Sequence, residues 1–290
     1  MHKFLRAIGF SDITKKDLEM ILDEVITRPE IMKITKDSEG NEFAELSGSF
    51  AANAGITVRG TYQEDDSFHM DHYYPYVFGT SITTNEQIDV EKHAEKESYA
   101  GVCDEVNLGV TLIFYIQNVA DYLAETNRHL SKIHYGAMLA GLSTEGKILC
   151  PVVERKKNDV PAIQKNDRHN QLIAQAREGD EDAIESLTLE DMDTYALLSQ
   201  RVMKEDIFSI VKSTFMPFGI ESDQYTVLGE IIDCVTMENK LTHEKLYGMK
   251  LLCNNIQFDV CINEKDLLGE PAIGRRFRGN VWMQGNLCLE

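Results

Sequence analysis

Residues 246–262 read LYGMKLLCNNIQFDVCI, and this stretch decides how the C-terminal part of the chain folds. Leu246–Cys253 and Gln257–Ile262 both follow the two-residue period of a β-strand. Asn254 and Asn255 stand between them, and asparagine tolerates the positive φ that a two-residue hairpin loop requires. The stretch therefore predicts an antiparallel β-hairpin.

Strand and turn signals continue on both sides of this hairpin. Tyr225–Ile231 and Asn280–Leu289 are further strand candidates, and Leu267–Pro271 has the composition of a turn. Glycines at 274 and 279 mark additional bends. Several short strands with glycines at the bends are typical of small closed sheets, so residues 224–290 are predicted to form a small β-barrel.

The pattern changes upstream of this region. Residues 154–167 are polar and charged and contain Pro161, as in an exposed linker. Residues 156–223 are therefore predicted to be a linker followed by a helical segment. The helical periodicity covers four stretches, which are Arg168–Glu178, Asp180–Leu187, Leu189–Met203 and Asp206–Met216.

Residues 1–155 combine helix and strand signals. Thr14 is a good N-cap for a helix that Pro29 ends, and residues 37–41 are a hairpin turn between two strands. Val106–Gln117 is apolar on both faces, which favours a central strand covered on both sides, and a short helix is expected at Val119–Ala124. A second hairpin is expected around residues 143–146. The predicted fold class is α+β, with a mostly antiparallel N-terminal sheet domain, a helical connector and the C-terminal barrel.

Charge and composition limit the classes of function. The chain has 290 residues, 43% of them hydrophobic, and a formal net charge of −19. This charge disfavours double-stranded nucleic acid and anionic membranes as partners, and leaves a protein or a small anion as the expected ligand. The six cysteines form no C-x-x-C pair, and the N-terminus does not resemble a signal peptide. We therefore expect free thiols and a cytoplasmic protein.

Residues 65–76, DDSFHMDHYYPY, contain a cluster of metal-ligand side chains. On an extended segment His69 and Asp71 share one face, and His93 could supply a third ligand. This set predicts a metal site and, as an alternative function, a metal-dependent hydrolase. The competing interpretation is a polar loop and a solvated strand edge, because the spacing matches no established metal motif.

Residues 274–279, GRRFRG, form a dense basic spot in this acidic chain. Arg275, Arg276 and Arg278 could hold a phosphate or carboxylate through paired hydrogen bonds, which predicts an anion- or nucleotide-binding barrel. The competing interpretation is that these arginines pair with the chain's own carboxylates. The cluster also lacks the spaced arginines and downstream serine of cyclic-dinucleotide barrels.

Signatures of catalysis are missing from the sequence. It contains neither a G-x-S-x-G elbow nor a glycine-rich phosphate loop of the two common types. A binding or regulatory protein without catalytic activity is therefore the first hypothesis for function. No cofactor, substrate or oligomeric state is predicted.

Three stretches resemble an uncharacterised protein family of about this length from Clostridia and related Gram-positive bacteria. They are Met1–Phe10 (MHKFLRAIGF), Leu187–Asp193 (LTLEDMD) and the tail from Phe258 to Gly285. The resemblance extends over the whole chain. It implies no activity and no catalytic residues, because none is assigned to that family.

Overall fold

Two β-sheets form most of the structure, a computed structural model, so the class is a β-rich form of α+β. The structure describes residues 1–92, 97–128, 134–152, 211–220 and 222–289, together with a few positions between 172 and 187. Most of the predicted helical connector, including 188–210, lies outside the described residues.

The smaller sheet is an antiparallel meander of four strands in chain order. The predicted hairpin at residues 37–41 is confirmed at its first turn, where the Asp37 carboxylate accepts the backbone N–H groups of Glu39 and Asn41 at 2.9 and 2.8 Å. We call this sheet the meander sheet. Its strands are β1 (Ile31–Lys36), β2 (Glu42–Ala51), β3 (Ala54–Tyr62) and β4 (Phe68–Val77).

The larger sheet contains the remaining ten strands and is mostly antiparallel. Five of them close a circuit, because β8 pairs with β14, β14 with β10, β10 with β11, β11 with β12, and β12 again with β8. The strands are β5 (Thr84–Lys92), β6 (Tyr99–Glu105), β7 (Val110–Ile116), β8 (His134–Leu149), β9 (Thr214–Pro217), β10 (Gln224–Glu238), β11 (Lys245–Cys253), β12 (Ile256–Asn263), β13 (Leu267–Leu268) and β14 (Arg276–Leu287).

The hairpin predicted from residues 246–262 is confirmed as β11 and β12. Cys253 and Ile256 are the last paired residues before the loop. Asn254 and Asn255 have φ angles of 47° and 68°, the left-handed backbone that a two-residue loop with this twist needs. The closed circuit, however, requires β8 from the N-terminal half of the chain in addition to the four C-terminal strands.

The hairpin expected around residues 143–146 is wrong, because β8 runs unbroken for 16 residues. Ser143 looks like a turn residue, but its hydroxyl donates to the Asn280 carbonyl on β14 at 2.8 Å. Gly146 packs against Phe277, where an added Cβ would lie only 2.4 Å from the ring. These residues serve close contact between strands rather than a change of direction.

Two other predictions need correction. The stretch predicted as one strand from Val106 begins as a turn and becomes β7 only at Val110, and Thr111 is exposed while Leu112, Phe114 and Ile116 are buried. β7 is thus central, between β6 and β14, but buried mainly on one face. The last predicted helix, Asp206–Met216, ends instead in strand β9, where Thr214 pairs with Leu228 of β10.

The N-terminal segment fills the space between the two sheets. A 3₁₀ helix, Lys3–Ile8, buries Phe4, Leu5 and Ile8. Helix α1 (Lys15–Thr27) begins as predicted at Thr14, whose hydroxyl accepts the Asp17 N–H at 3.2 Å. Helix α2 (Val119–Asn127) follows β7. Among the described residues, the helices are too short or too polar to cross a membrane.

His2 anchors this segment and should make stability pH-dependent. Its ring packs 4.8 Å from the Trp282 ring, and burial lowers the pKa of the imidazole to about 4. The unfolded chain binds this proton at about pH 6.5. The stability that the buried neutral imidazole contributes is therefore complete above that pH and is lost as the pH falls toward 4. On acidification the wild type should lose up to about 3 kcal/mol of unfolding free energy through His2, and we expect His2→Phe not to show this loss.

Urea unfolding at pH 7.5, 5.5 and 4.0 measures this effect as the difference between wild type and variant. Ile82→Phe, at an exposed position, adds a phenyl ring without removing a titratable group; it is the control and should unfold with the wild-type pH dependence. Parallel curves for wild type and His2→Phe would contradict the assignment.

Candidate functional sites in two cavities

The structure separates the three arginines of the predicted anion site. Arg276 is buried, and it donates from Nε to the Cys150 carbonyl at 2.9 Å and from Nη1 to the Val211 carbonyl at 2.6 Å. Desolvation by burial lowers the pKa of its guanidinium. Arg276 therefore ties two main-chain segments together through their carbonyl oxygens.

Arg275 lies at the surface, in the turn before β14. Its Nη1 donates to the Glu270 carbonyl at 2.7 Å, and its own carbonyl accepts the Ile231 N–H at 2.8 Å. The neighbouring Gly274 has a φ of 83°, which directs the chain into β14. Arg275 is not among the residues that line the cavity at Arg278.

Arg278 lines a cavity of about 460 Å³ on the outside of the closed circuit. Its direct partner across the strand pair is Lys147 of β8, and Lys147 lines the same cavity. Directly opposed residues of an antiparallel pair lie about 5 Å apart at Cβ, so two cations meet here. We call this the cation-pair cavity; its other lining residues are Glu145, Gly146, Phe218, Thr226, Leu268, Gly279 and Asn280.

Lys147 is a cavity residue that the sequence analysis missed. The error follows from the wrong hairpin, which placed residue 147 at the start of a separate strand. Once β8 is continuous, the antiparallel register with β14 places Lys147 opposite Arg278.

Of the three predicted metal ligands, the structure describes His69 and Asp71. His69 and Asp71 both lie on β4, but Arg59 pairs with His72 and Gly60 with Met70, so Asp71 is the extra residue of a β-bulge. The bulge interrupts the strict alternation from which a shared face was expected. His93 lies outside the described residues. Within the described ranges, no three His, Cys, Asp or Glu side chains are arranged to hold a metal ion.

A buried ion pair joins the meander sheet to the large sheet. Arg59 of β3 and Glu45 of β2 are cross-strand partners, and both are almost completely buried. Arg59 donates from Nε to one carboxylate oxygen of Glu45 at 2.8 Å, and its Nη2 lies 2.7 Å from the same oxygen. The other oxygen accepts the Ala120 N–H at 3.0 Å, at the start of α2, where the helix dipole favours a negative charge.

The remaining donors of Arg59 reach the end of β7. Nη2 donates to the carbonyls of Ile116 and Gln117 at 2.9 and 3.0 Å, and Nη1 donates to the Tyr115 hydroxyl at 2.7 Å. The Tyr74 and Tyr115 rings lie 4.8 and 5.2 Å from the guanidinium carbon. Burial lowers the pKa of Arg59, but Tyr115, Tyr74 and Glu45 outweigh it and hold the pKa above its ordinary value, so the side chain remains charged.

Next to this ion pair lies a cleft of about 390 Å³ between β1, α2 and the end of β14. At its mouth Lys33 of β1 contacts Asp121 of α2, with 2.6 Å between Nζ and Oδ2. We call it the inter-sheet cleft. Its other lining residues are Ile31, Glu45, Ser47, Thr57, Tyr74, Phe78, Gly79, Gln117, Asn118, Met138, Asn286 and Leu287.

Side-chain amides hold the floor of the cleft in place. Gln117 donates to the Val77 carbonyl at 2.9 Å and to the Gln284 amide oxygen at 2.8 Å, and it accepts from Asn286 at 3.1 Å. Asn118 exchanges two hydrogen bonds with the backbone of Leu287, at 3.0 and 2.9 Å. The amides therefore give the cleft a fixed polar floor.

No sequence pattern predicted this cleft. Strand alternation places Glu45 on the face opposite Ala44 and Leu46, and Arg59 on the face opposite Val58, so both charges fit an ordinary solvated strand face. The large sheet covers that face and turns the two charges into a buried pair.

The structure is thus a β-rich α+β fold with two cavities that have partly polar linings. The chain belongs to the family described as "Domain of unknown function, E. rectale Gene description (DUF3881)", whose model matches residues 5–285. The resemblance to a family without an assigned activity is thus confirmed. Neither the search of curated proteins nor the search of solved structures finds a match.

Removing the guanidinium of Arg59 should strongly destabilise the protein. Arg59→Met leaves the Glu45 carboxylate buried without its cation, which costs about 3–5 kcal/mol of unfolding free energy. Adding Glu45→Leu to the variant should restore a large part of that loss, because no charge is then left unpaired. Urea unfolding of both variants measures the difference.

The matched control is Lys245→Met, which removes the cation of an ion pair exposed on both sides, with 2.6 Å between Lys245 and Glu264. It should leave the unfolding free energy close to that of wild type. A double variant less stable than Arg59→Met would contradict the view that the unpaired carboxylate causes the loss.

Proposed function

We propose that this chain is a cytoplasmic binding protein without catalytic activity, and that it binds a small organic anion in the cation-pair cavity. The closed circuit of β8, β10, β11, β12 and β14 would act as a small barrel that presents the site. One observation carries the proposal: Arg278 and Lys147 face each other in register at the wall of a cavity large enough for a small molecule.

The opposed cations favour an anionic ligand. Because the two side chains start from directly opposed positions of neighbouring strands, both can reach the same anionic group in the cavity. The arginine fork and the lysine ammonium are the two groups that proteins use most for phosphate and carboxylate. In a chain with a net charge of −19, local cations are needed to attract an anion at all.

The other lining residues indicate what the anion should carry. Phe218 and Leu268 are 42% and 75% exposed and give the cavity an apolar side. Thr226 donates to Asn280 at 2.7 Å, so this edge is polar but uncharged. Glu145 also lines the cavity and contacts the amide of Asn280. A phosphate joined to a flat ring, as in a mononucleotide, has the matching combination of charge and apolar surface.

Titration calorimetry with AMP, GMP and inorganic phosphate at low salt tests the proposal. We expect a nucleotide to bind wild-type protein and Arg278→Ala to weaken binding about tenfold or more, because a charge-assisted hydrogen bond contributes about 1.5–3 kcal/mol. Lys147→Met should have an effect of the same sign.

Arg275→Ala is the matched control. It removes the same charge at an exposed position three residues before Arg278, and Arg275 does not line the cavity. Its affinity should equal that of wild type. Equal losses in Arg275→Ala and Arg278→Ala would show a general charge effect, and no binding of any of the three compounds would overturn the proposal. Arg276 is unsuitable for this test because its substitution would remove buried hydrogen bonds.

A further inference from the structure

We infer that the inter-sheet cleft is a second binding site, and that its ligand is a small zwitterion with an apolar side chain, such as a free amino acid. The cleft lies on the meander-sheet side of the molecule and shares no lining residue with the cation-pair cavity. The inference therefore does not rest on the proposed anion site.

The ion pair at the mouth supplies one group for each charge of a zwitterion. Lys33 and Asp121 belong to different elements, β1 and α2, and their side chains are 42% and 41% exposed. A pair with this exposure contributes only about 0–1 kcal/mol to stability, so little is lost when it opens. A ligand carboxylate would then bind the Lys33 ammonium, and a ligand ammonium would bind the Asp121 carboxylate.

The charge balance of the cleft favours a ligand that is neutral overall. Glu45 is the remaining charged lining residue, and its two oxygens are occupied by Arg59 and by the Ala120 N–H. Lys33 and Asp121 cancel each other, so the lining carries no net charge once Arg59 is counted with Glu45. A simple anion would gain Lys33 but leave Asp121 without its cation, and a simple cation would do the reverse.

The rest of the lining fits the body of such a ligand. Four apolar residues stand around the polar floor, and they can enclose an aliphatic or thioether side chain. The volume of about 390 Å³ lies within the range of small-molecule sites. The apolar residues are Ile31, Phe78, Met138 and Leu287.

Three probes of similar shape separate the two charges. Leucine carries both, leucinamide carries only the ammonium, and 4-methylpentanoate carries only the carboxylate. Calorimetry with wild-type protein should show binding of leucine at least tenfold tighter than that of either analogue. Methionine and phenylalanine test whether the apolar wall accepts other side chains.

Lys33→Met and Asp121→Asn should each weaken leucine binding about tenfold or more. Lys245→Met is the matched control, because Lys245 and Glu264 form an ion pair of the same length, 2.6 Å, with side chains 44% and 48% exposed. Its affinity for leucine should be that of wild type. Arg278→Ala should also bind leucine normally, which separates this test from that of the anion site.

Each alternative result contradicts the inference. Equal affinity for leucine and one of its analogues would show that only one charge is recognised. Equal affinity in wild type and Lys33→Met would place the ligand elsewhere. Failure of all three amino acids to bind at millimolar concentration would remove the assignment of the cleft to this class of ligand.

Discussion

The buried pair of Arg59 and Glu45 is the interaction on which the arrangement of the two sheets depends. The guanidinium contacts a carboxylate on its own sheet and two carbonyls at the end of β7 on the other. A shift of one sheet against the other would therefore leave a charged group or a carbonyl without a partner in the interior, where such a loss is expensive. The start of α2 is fixed by the same carboxylate, through the Ala120 N–H.

The inter-sheet cleft is a consequence of this arrangement. Since Arg59 holds the sheets together from inside, the space nearer the surface is bordered by β1, α2 and the end of β14 without being filled. The amides of Gln117 and Asn118 connect the β7–α2 junction to β14, and Gln284 connects β14 to the Pro75 carbonyl of β4 at 2.8 Å. The walls of the cleft thus come from elements whose positions are set by buried hydrogen bonds.

The sequence was informative where structure depends on neighbouring residues. The cap at Thr14 and the asparagine loop at 254–255 follow from local chemistry, and both were predicted. The hairpin at 143–146 was mispredicted because Gly146 and Ser143 act on residues more than a hundred positions away. Local patterns do not distinguish a glycine that turns the chain from one that admits a neighbouring ring.

The same limit applies to the sites. A run of arginines indicated a basic spot correctly but not which side chain lines a cavity, because that depends on strand register and on the burial of Arg276. The inter-sheet cleft combines residues from 31–57, 74–79, 117–121, 138 and 286–287, which no sequence window contains. Cross-strand pairing of Glu45 with Arg59 is the one part that hairpin register alone could have revealed.

The position of Arg276 has a consequence for how this chain can vary. One guanidinium holds the carbonyls of Cys150 and Val211, so the chain leaves the sheet framework and returns to it at almost the same point. A segment whose two ends meet can change in length or be replaced at little cost in loop-closure entropy. Positions 150 and 211 are therefore neighbouring attachment points on the sheets, and a change in the length of chain between them is expected to cost the two sheets little stability.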